Sequence, residues 1–586
     1  MKKNKLHIAL LLSSVGIMII LFASCKRYVD PPPYFEDPGD TTKPASRRIL
    51  FIGIDGAVPG EYKKMTLPAL QGMLAKSKYS WDGISDELST SGASWKTLMS
   101  GISYSRHKIK DSTFIYTQGI NDPQHGAIPN FPSIFSYILS SPKNEMRTVF
   151  ISPWSTMVEK LVPEVQDPVT AANDVAVKDS AVKRIKNGNP EFMVVHFNSV
   201  AIAGKSGGFS EANSDYKNAA SQVDNYIGEM MMALKARPGY NKNEEWLVVV
   251  ASTHGGTGNS HGGFSPEETT AFSFYYNEAF KQTEFTKQGS FVNVQMKGGQ
   301  GGVRAVMSDA SAYNPGTGPM TIEMKMKGSR SGGFPLFVTK KGPASGNILD
   351  SGDPGFAYFS GGNNNWNLQL RGASGNVRIQ PGLPQSPAVV DNSWHTLTLV
   401  FVDSASKRWA KRYRDGVKID ETDISSFGAI TSPQPLILGW GQGNAGDALT
   451  SHVAYNVSDI KIFNVGLSSA EVAANLCVKN ITQHSKYANL TGYWPCTDGL
   501  GGRFKNYAPG AVNKDFILQS SFEWKPVPEF PCSFSSVVDP GKTNLFLTNS
   551  GFATTVFYWL KLNTQAVWGL EGSKWLELYE QEFVKL

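Results

Sequence analysis

Three apolar runs, each closing on residues that can do chemistry, constrain this fold most. Ile49-Leu50-Phe51-Ile52-Gly53-Ile54 leads into Asp55, Phe192 to Phe197 into Asn198, and Trp246 to Ala251 into Thr253-His254. A strand with one wet face alternates polar and apolar residues, so runs without alternation point to a parallel sheet covered on both faces. Ligands of such sheets gather at the carboxyl ends of the strands, and Asp55 and His254 are therefore expected in one crevice.

At 586 residues the chain is too long for a single core. Residues 48–294 alternate strand-like and helix-like stretches. From 295 to 534 the sequence is rich in Gly, Asn and Ser, with short runs such as Met320 to Lys327, Phe356 to Phe359 and Trp394 to Val402, and almost no helical period. An α/β part followed by an all-β sandwich is the reading. Met230 to Met232 belong to the amphipathic helix after Ser210 and are assigned to its packing.

The first 24 residues carry Lys2, Lys3 and Lys5, a short apolar stretch, and Ala23-Ser24 before Cys25. This is the pattern of a secretory leader, and the small residues before the cysteine resemble the lipobox of bacterial lipoproteins, which implies a lipid on Cys25. Residues 25–47, rich in Pro, Asp and Gly, read as an extended tether. Without the leader the balance falls from 56 basic against 50 acidic residues to 53 against 50, too even for a nucleic-acid partner. Among Cys477, Cys496 and Cys532 one disulfide can form and one thiol is left over; the sequence does not choose.

Between the first two runs lies Ser89-Thr90-Ser91-Gly92-Ala93-Ser94, leading to Gly101 and then Arg106-His107, with a helix expected from about Ala93. A serine here is either a plain N-cap or a nucleophile facing free backbone N–H groups. Together with Ile-Gly-Ile-Asp55-Gly and Ser-Thr253-His254-Gly-Gly…Ser-His261-Gly-Gly, the segment resembles the alkaline-phosphatase superfamily, in its type I phosphodiesterase/nucleotide pyrophosphatase branch. The resemblance covers roughly 48–290. It implies Ser91 as nucleophile, His107 as a structural residue, and two zinc-like ions on six protein ligands. Asp55, His254 and His261 stand at ligand positions, whereas Ala201, Lys205 and Thr253 stand where the other three ligands belong. A methyl group cannot ligate, a threonine hydroxyl is a weak donor, and the Lys205 ammonium repels a cation. No metal is expected on the first site; the second has room for at most one weakly bound zinc.

The β part, through Trp394-His-Thr-Leu-Thr-Leu-Val-Phe, Tyr413-Arg-Asp-Gly-Val and Val457-Ser-Asp-Ile-Lys-Ile-Phe-Asn, resembles a laminin-G/concanavalin-A-like jelly roll. That implies glycan binding, with Tyr358, Trp366 and Trp440 as candidate platforms, and leaves a calcium ion open. Residues 535–586, with Phe552-Ala-Thr-Thr-Val-Phe-Tyr-Trp, look like the closing segment of a phosphatase-type chain, so the sandwich is expected as an insertion. The expected whole is multidomain: an α/β alkaline-phosphatase-like core holding an all-β jelly roll. Its expected place is the outer membrane, lipid-anchored and facing the exterior. The expected role is non-catalytic, a pseudoenzyme assisting glycan or glycopeptide uptake beside SusC/SusD-like proteins. The alternatives are a metal-dependent phosphodiesterase or phosphatase using Ser91, and a purely structural role.

Overall fold

A computed structural model describes residues 45–116, 131–297, 302–341, 353–379, 387–439, 452–510 and 514–580. Cys25 and Trp440 lie outside them.

The α/β part contributes eight strands: β1 (Ser46–Asp55), β2 (Ser77–Ile84), β3 (Thr148–Ser152), β4 (Asp167–Thr170), β5 (Phe192–Phe197), β6 (Glu244–His254), β7 (Thr270–Tyr276) and β8 (Thr283–Thr286). They form one nine-stranded sheet in the order Lys542–Asn544, β8, β2, β7, β6, β1, β5, β3, β4. β1 runs parallel to β5 with Ile49 opposite Phe192 and Ile54 opposite Phe197, while β7 is antiparallel to both β2 and β6.

The lack of alternation in β1 has a direct cause: each face of the strand meets its own core. Leu50, Ile52 and Ile54 pack with Val223, Ile227, Met230 and Leu234 of the helix Ser214–Lys235. Ile49 and Phe51 pack on the opposite side with Trp95, Leu98 and Met99 of the helix Ser91–Ser100 and with Phe552, Val556 and Trp559 of the helix Gly551–Trp559. Each such side chain contributes roughly 1.5–3 kcal/mol when fully buried. Met230 is fully buried, Met231 nearly so, and Met232 is on the wet face.

The sandwich comprises two antiparallel sheets. One runs through Trp366–Arg371, Gly355–Ser360, Leu336–Lys340, Leu436–Leu438 and Arg304–Met307; the other through Lys407–Arg414, Asp391–Ser404, Met320–Ser331, His452–Phe463 and Val292–Lys297. The first sandwich strand thus starts at Val292, slightly ahead of the expected boundary. Met324 faces Leu397 across the ladder, and both belong to the core between the sheets.

Two of the proposed glycan platforms are corrected here. Tyr358 is 1% exposed and Trp366 is fully buried, their rings 5.1 Å apart in that core. The Arg412 guanidinium lies 5.2 Å from the Trp366 ring. Neither aromatic face is open to a sugar.

The chain then returns to the α/β part. Lys542–Asn544 pairs in parallel with β8, and the Asn549 amide donates to the carbonyls of Ser252 and Thr253, each at 3.1 Å. Cys477 and Cys532 form the disulfide and Cys496 is the buried free thiol.

Candidate functional site

Asp55 sits at the carboxyl end of β1 and is fully buried. A carboxylate there must find donors, and the protein supplies them. Trp95 Nε1 donates to Oδ1 at 2.8 Å and Thr253 Oγ1 donates to the same oxygen at 2.6 Å. His196 Nε2 stands 3.2 Å from Oδ2, an electrostatic contact outside hydrogen-bond angles, and its Nδ1 is 2.9 Å from Ser152 Oγ. Burial works to raise the Asp55 carboxyl, but His196, His254 and Thr253 outweigh it and hold the group well below the usual carboxylate range.

Ser91 opens the helix Ser91–Ser100, two residues earlier than expected. The N-cap is Thr90, whose hydroxyl accepts from Ala93 N at 3.3 Å, so Ser91 is free of that duty. Its Oγ lies 2.8 Å from His254 Nε2. His254 Nδ1 is 2.7 Å from the Gly255 carbonyl, which can only accept. The proton is therefore assigned to Nδ1, and Nε2 accepts from Ser91. Burial pushes the fully buried His254 toward its neutral form. His261 stacks on His254 at 4.2 Å, with its Nδ1 3.1 Å from the Ser89 carbonyl. Burial first, then His254, lower His261 to about 3. Asp55 and His254 thus converge as the strand ends suggested, and Ser91, Thr253 and His261 join them. His107 lies apart, its Nδ1 accepting from Ile109 N and its Nε2 3.0 Å from Thr97 Oγ1.

Ala201 and Lys205 lie on the helix Ser199–Gly207. Ala201 presses against Gly56, where an added Cβ would come within 2.7 Å of its Cα; Gly56 also needs its positive φ of 76°. Lys205 is exposed at the rim. Beside them Phe209 fills a slot walled by Gly56, Gly204 and Gly256, at each of which a Cβ would meet the ring within 2.4 to 2.8 Å. Its edge faces His261 at 5.9 Å.

Residues 49–314 match the family model described as type I phosphodiesterase / nucleotide pyrophosphatase. The α/β part is similar to this family, a branch of the alkaline-phosphatase superfamily. Residues 297–473 match the model described as the concanavalin A-like lectin/glucanases superfamily. No curated protein matches the chain. Solved structures with similarity include one described as BT1596, a 2-O GAG sulfatase, at 13% identity and a TM-score of 0.32, covering 41% of this chain and 65% of that one. Another is Ps i-CgsB in complex with k-i-k-neocarrahexaose, at 15% identity and a TM-score of 0.28, covering 41% and 68%. The chain spans less than two thirds of the first of these, and both likenesses concern fold alone.

The superfamily implies metal ions, and the residues present do not fit them. Zinc requires three or four N, S or carboxylate ligands. Here Oδ1 of Asp55 is taken by Trp95 and Thr253, both nitrogens of His254 are engaged, and Phe209 fills the space beside Ala201; Asp55 Oδ2 and His261 Nε2 are buried without hydrogen bonds, but two such atoms are fewer than zinc requires. Among the described residues no cluster of three His, Cys, Asp or Glu can hold an ion. In the sandwich, Glu323 and Asp459 receive the Lys461 ammonium at 2.9 and 2.7 Å, so that carboxylate pair is already neutralised by protein.

Three members of this pocket escape a reading of the sequence: Trp95, His196 and Phe209. His196 left a signal, as the one polar residue in the run Phe192 to Phe197. Trp95 and Phe209 left none, because their roles depend on partners distant in the chain.

Proposed function

We propose that this chain is a lipid-anchored cell-surface binding protein whose alkaline-phosphatase-type part is a scaffold without metal chemistry. Its role is glycan or glycopeptide capture, on the exterior of the outer membrane, beside SusC/SusD-like uptake proteins. The observation that carries the non-catalytic half is the engagement of Asp55 Oδ1 by two protein donors. A carboxylate oxygen that holds two hydrogen bonds, from Trp95 and Thr253, and whose partner oxygen faces His196, has protein donors where a cation would otherwise be needed. Access supports the same reading: Ser91 is 6% exposed, and the backbone of Asp111 lies against the adjacent Gly92 so closely that a Cβ there would meet it at 2.2 Å. The concanavalin A-like match supports the glycan half, and the leader ending at Cys25 supports the anchor.

The test is metal analysis and turnover on the exported chain. After incubation with zinc and removal of excess, the protein should retain no stoichiometric metal and hydrolyse neither aryl phosphodiester nor aryl sulfate, while binding members of a glycan array. Tightly held zinc with Ser91-dependent turnover would overturn it.

The hydrogen bond between Ser91 and His254 favours one other reading. A neutral imidazole accepting from a serine at a helix N-terminus is a nucleophile and base in contact, and this pair needs no ion. In chelator, a fluorophosphonate probe would then modify Ser91 in the wild type and not in His254→Asn. Absence of labelling in both removes this reading.

A further inference from the structure

Where the chain passes between the two folds, they enclose a cleft of about 330 Å³. The α/β part supplies Asp86 and Glu87 after β2 and Lys287 after β8; the sandwich supplies Asp498, Lys505 and Tyr507. The walls are held in place by protein contacts. Gly502 N donates to Glu87 Oε2 at 2.7 Å, and the Arg503 guanidinium, ion-paired with Asp515 at 3.1 Å, stacks 3.9 Å from the Phe264 ring.

The cleft contains polar groups that the fold does not satisfy. Asp498 Oδ1 accepts from Tyr507 at 3.1 Å, but its Oδ2 is sealed from solvent without a partner. Burial lowers both the Lys287 and the Lys505 ammonium, and this outweighs the carboxylates that act on them, Asp82 and Asp498 on Lys287, and Asp498, Asp515 and Glu268 on Lys505. Asp86, by contrast, is consumed internally by Thr97 and by the amides of Glu87 and Tyr104. Partly desolvated cations whose nearby carboxylates do not offset burial gain from a ligand that supplies negative charge. Phe534 and Phe546 add apolar surface. The volume suits a small ligand and not a macromolecular segment.

We infer that this cleft binds an anionic saccharide, its carboxylate or sulfate on Lys287 and Lys505, a hydroxyl donating to Asp498, and its C–H face on the aromatic wall. A neutral sugar would add no charge to offset the burial of either ammonium group. The assignment rests on the glycan-binding reading above and gives it a location, at the seam of the two folds.

The test uses the full exported chain and three sets of oligosaccharides, neutral, uronate-bearing and sulfated, in calorimetric titrations at two salt concentrations. The acidic sets should bind, with affinity falling as salt rises. Lys287→Gln and Lys505→Gln should each weaken binding by roughly tenfold or more, and Lys505→Arg should restore part of it. Unchanged melting curves would show the variants to be folded; a variant that melts early is replaced by Asp498→Asn, which should also weaken binding. The uronate and sulfate sets distinguish the two sources of charge. Binding of glycans that is indifferent to all these substitutions, or confined to neutral ones, overturns the cleft assignment alone. Failure to bind any glycan overturns the glycan-binding reading with it.

Discussion

The Thr253 hydroxyl donates to Asp55 Oδ1 at 2.6 Å, from the position at which this superfamily places a second carboxylate. Two carboxylates in contact would require a cation, whereas this hydrogen bond requires none. The difference rests on one residue and is therefore open to experiment.

Thr253→Asp should put two buried carboxylates in contact and destabilise the α/β part by about 3 kcal/mol in the presence of chelator. Zinc should recover part of that loss, since a restored acid pair has use for an ion. Differential scanning fluorimetry with zinc and with chelator reads both effects, and a melting temperature equally indifferent to zinc in variant and wild type would contradict the argument.

Trp95→Phe deletes the second donor to the same oxygen while keeping most of the ring that packs on Phe51 and Phe150. An under-satisfied buried carboxylate costs about 1–3 kcal/mol. Denaturant unfolding of the single and double variants with Thr253→Val should show non-additive losses, because both donors serve one atom. Simple additivity would mean that Asp55 finds other partners.

Asp498 gives a pH dependence with a definite sign. Burial raises its carboxyl from 3.8 to about 7, against the pull of Lys505. A carboxyl that keeps its proton longer folded than unfolded stabilises the protein in acid and loses that contribution as pH rises from about 4 to about 7. Asp86, raised to about 7 chiefly by burial, adds to the same trend, so the informative quantity is a difference. Relative to wild type, Asp498→Asn should gain stability across that window, by about 1–2 kcal/mol, a discounted conversion since the residue as a whole is half-buried. A flat difference between the two stability profiles is the contrary result.

The Cys477–Cys532 bridge closes a loop across 55 residues of sequence. On a chain-entropy basis its loss costs about 4 kcal/mol. Urea unfolding of Cys532→Ser should show the sandwich transition shifted to lower denaturant, and reductant should shift the wild type to match it. If the variant unfolds with the wild type, the bridge does not constrain the unfolded chain.

How far the sequence disclosed this site depends on what kind of neighbour each residue has. Asp55 and His254 were legible because strand ends in a two-faced sheet converge whatever the details. Thr253 and Ala201 were legible as losses against a resemblance. What filled the gaps was not: Phe209 needs Gly56, Gly204 and Gly256, three glycines separated by up to 200 positions, and no local pattern announces a slot of that kind. The sandwich aromatics failed for a related reason. Phe356-Ala357-Tyr358-Phe359 has no polar alternation, since both faces of that strand are covered, and without alternation a sequence cannot say which way an aromatic ring points.

The late return of the chain, with Lys542–Asn544 and the helix Gly551–Trp559 closing over Phe51, also has a consequence for biogenesis. During vectorial synthesis or export, the first half emerges with one face of its central sheet only partly covered, by the helix Ser91–Ser100 and its neighbours, and the rest of the cover arrives only after the entire sandwich has been made. Until then the exposed face is an aggregation hazard that must be shielded, by a holding chaperone or by delaying collapse. Truncation after the sandwich should yield an insoluble polypeptide, although every pocket-forming residue discussed above except Phe546 would still be present.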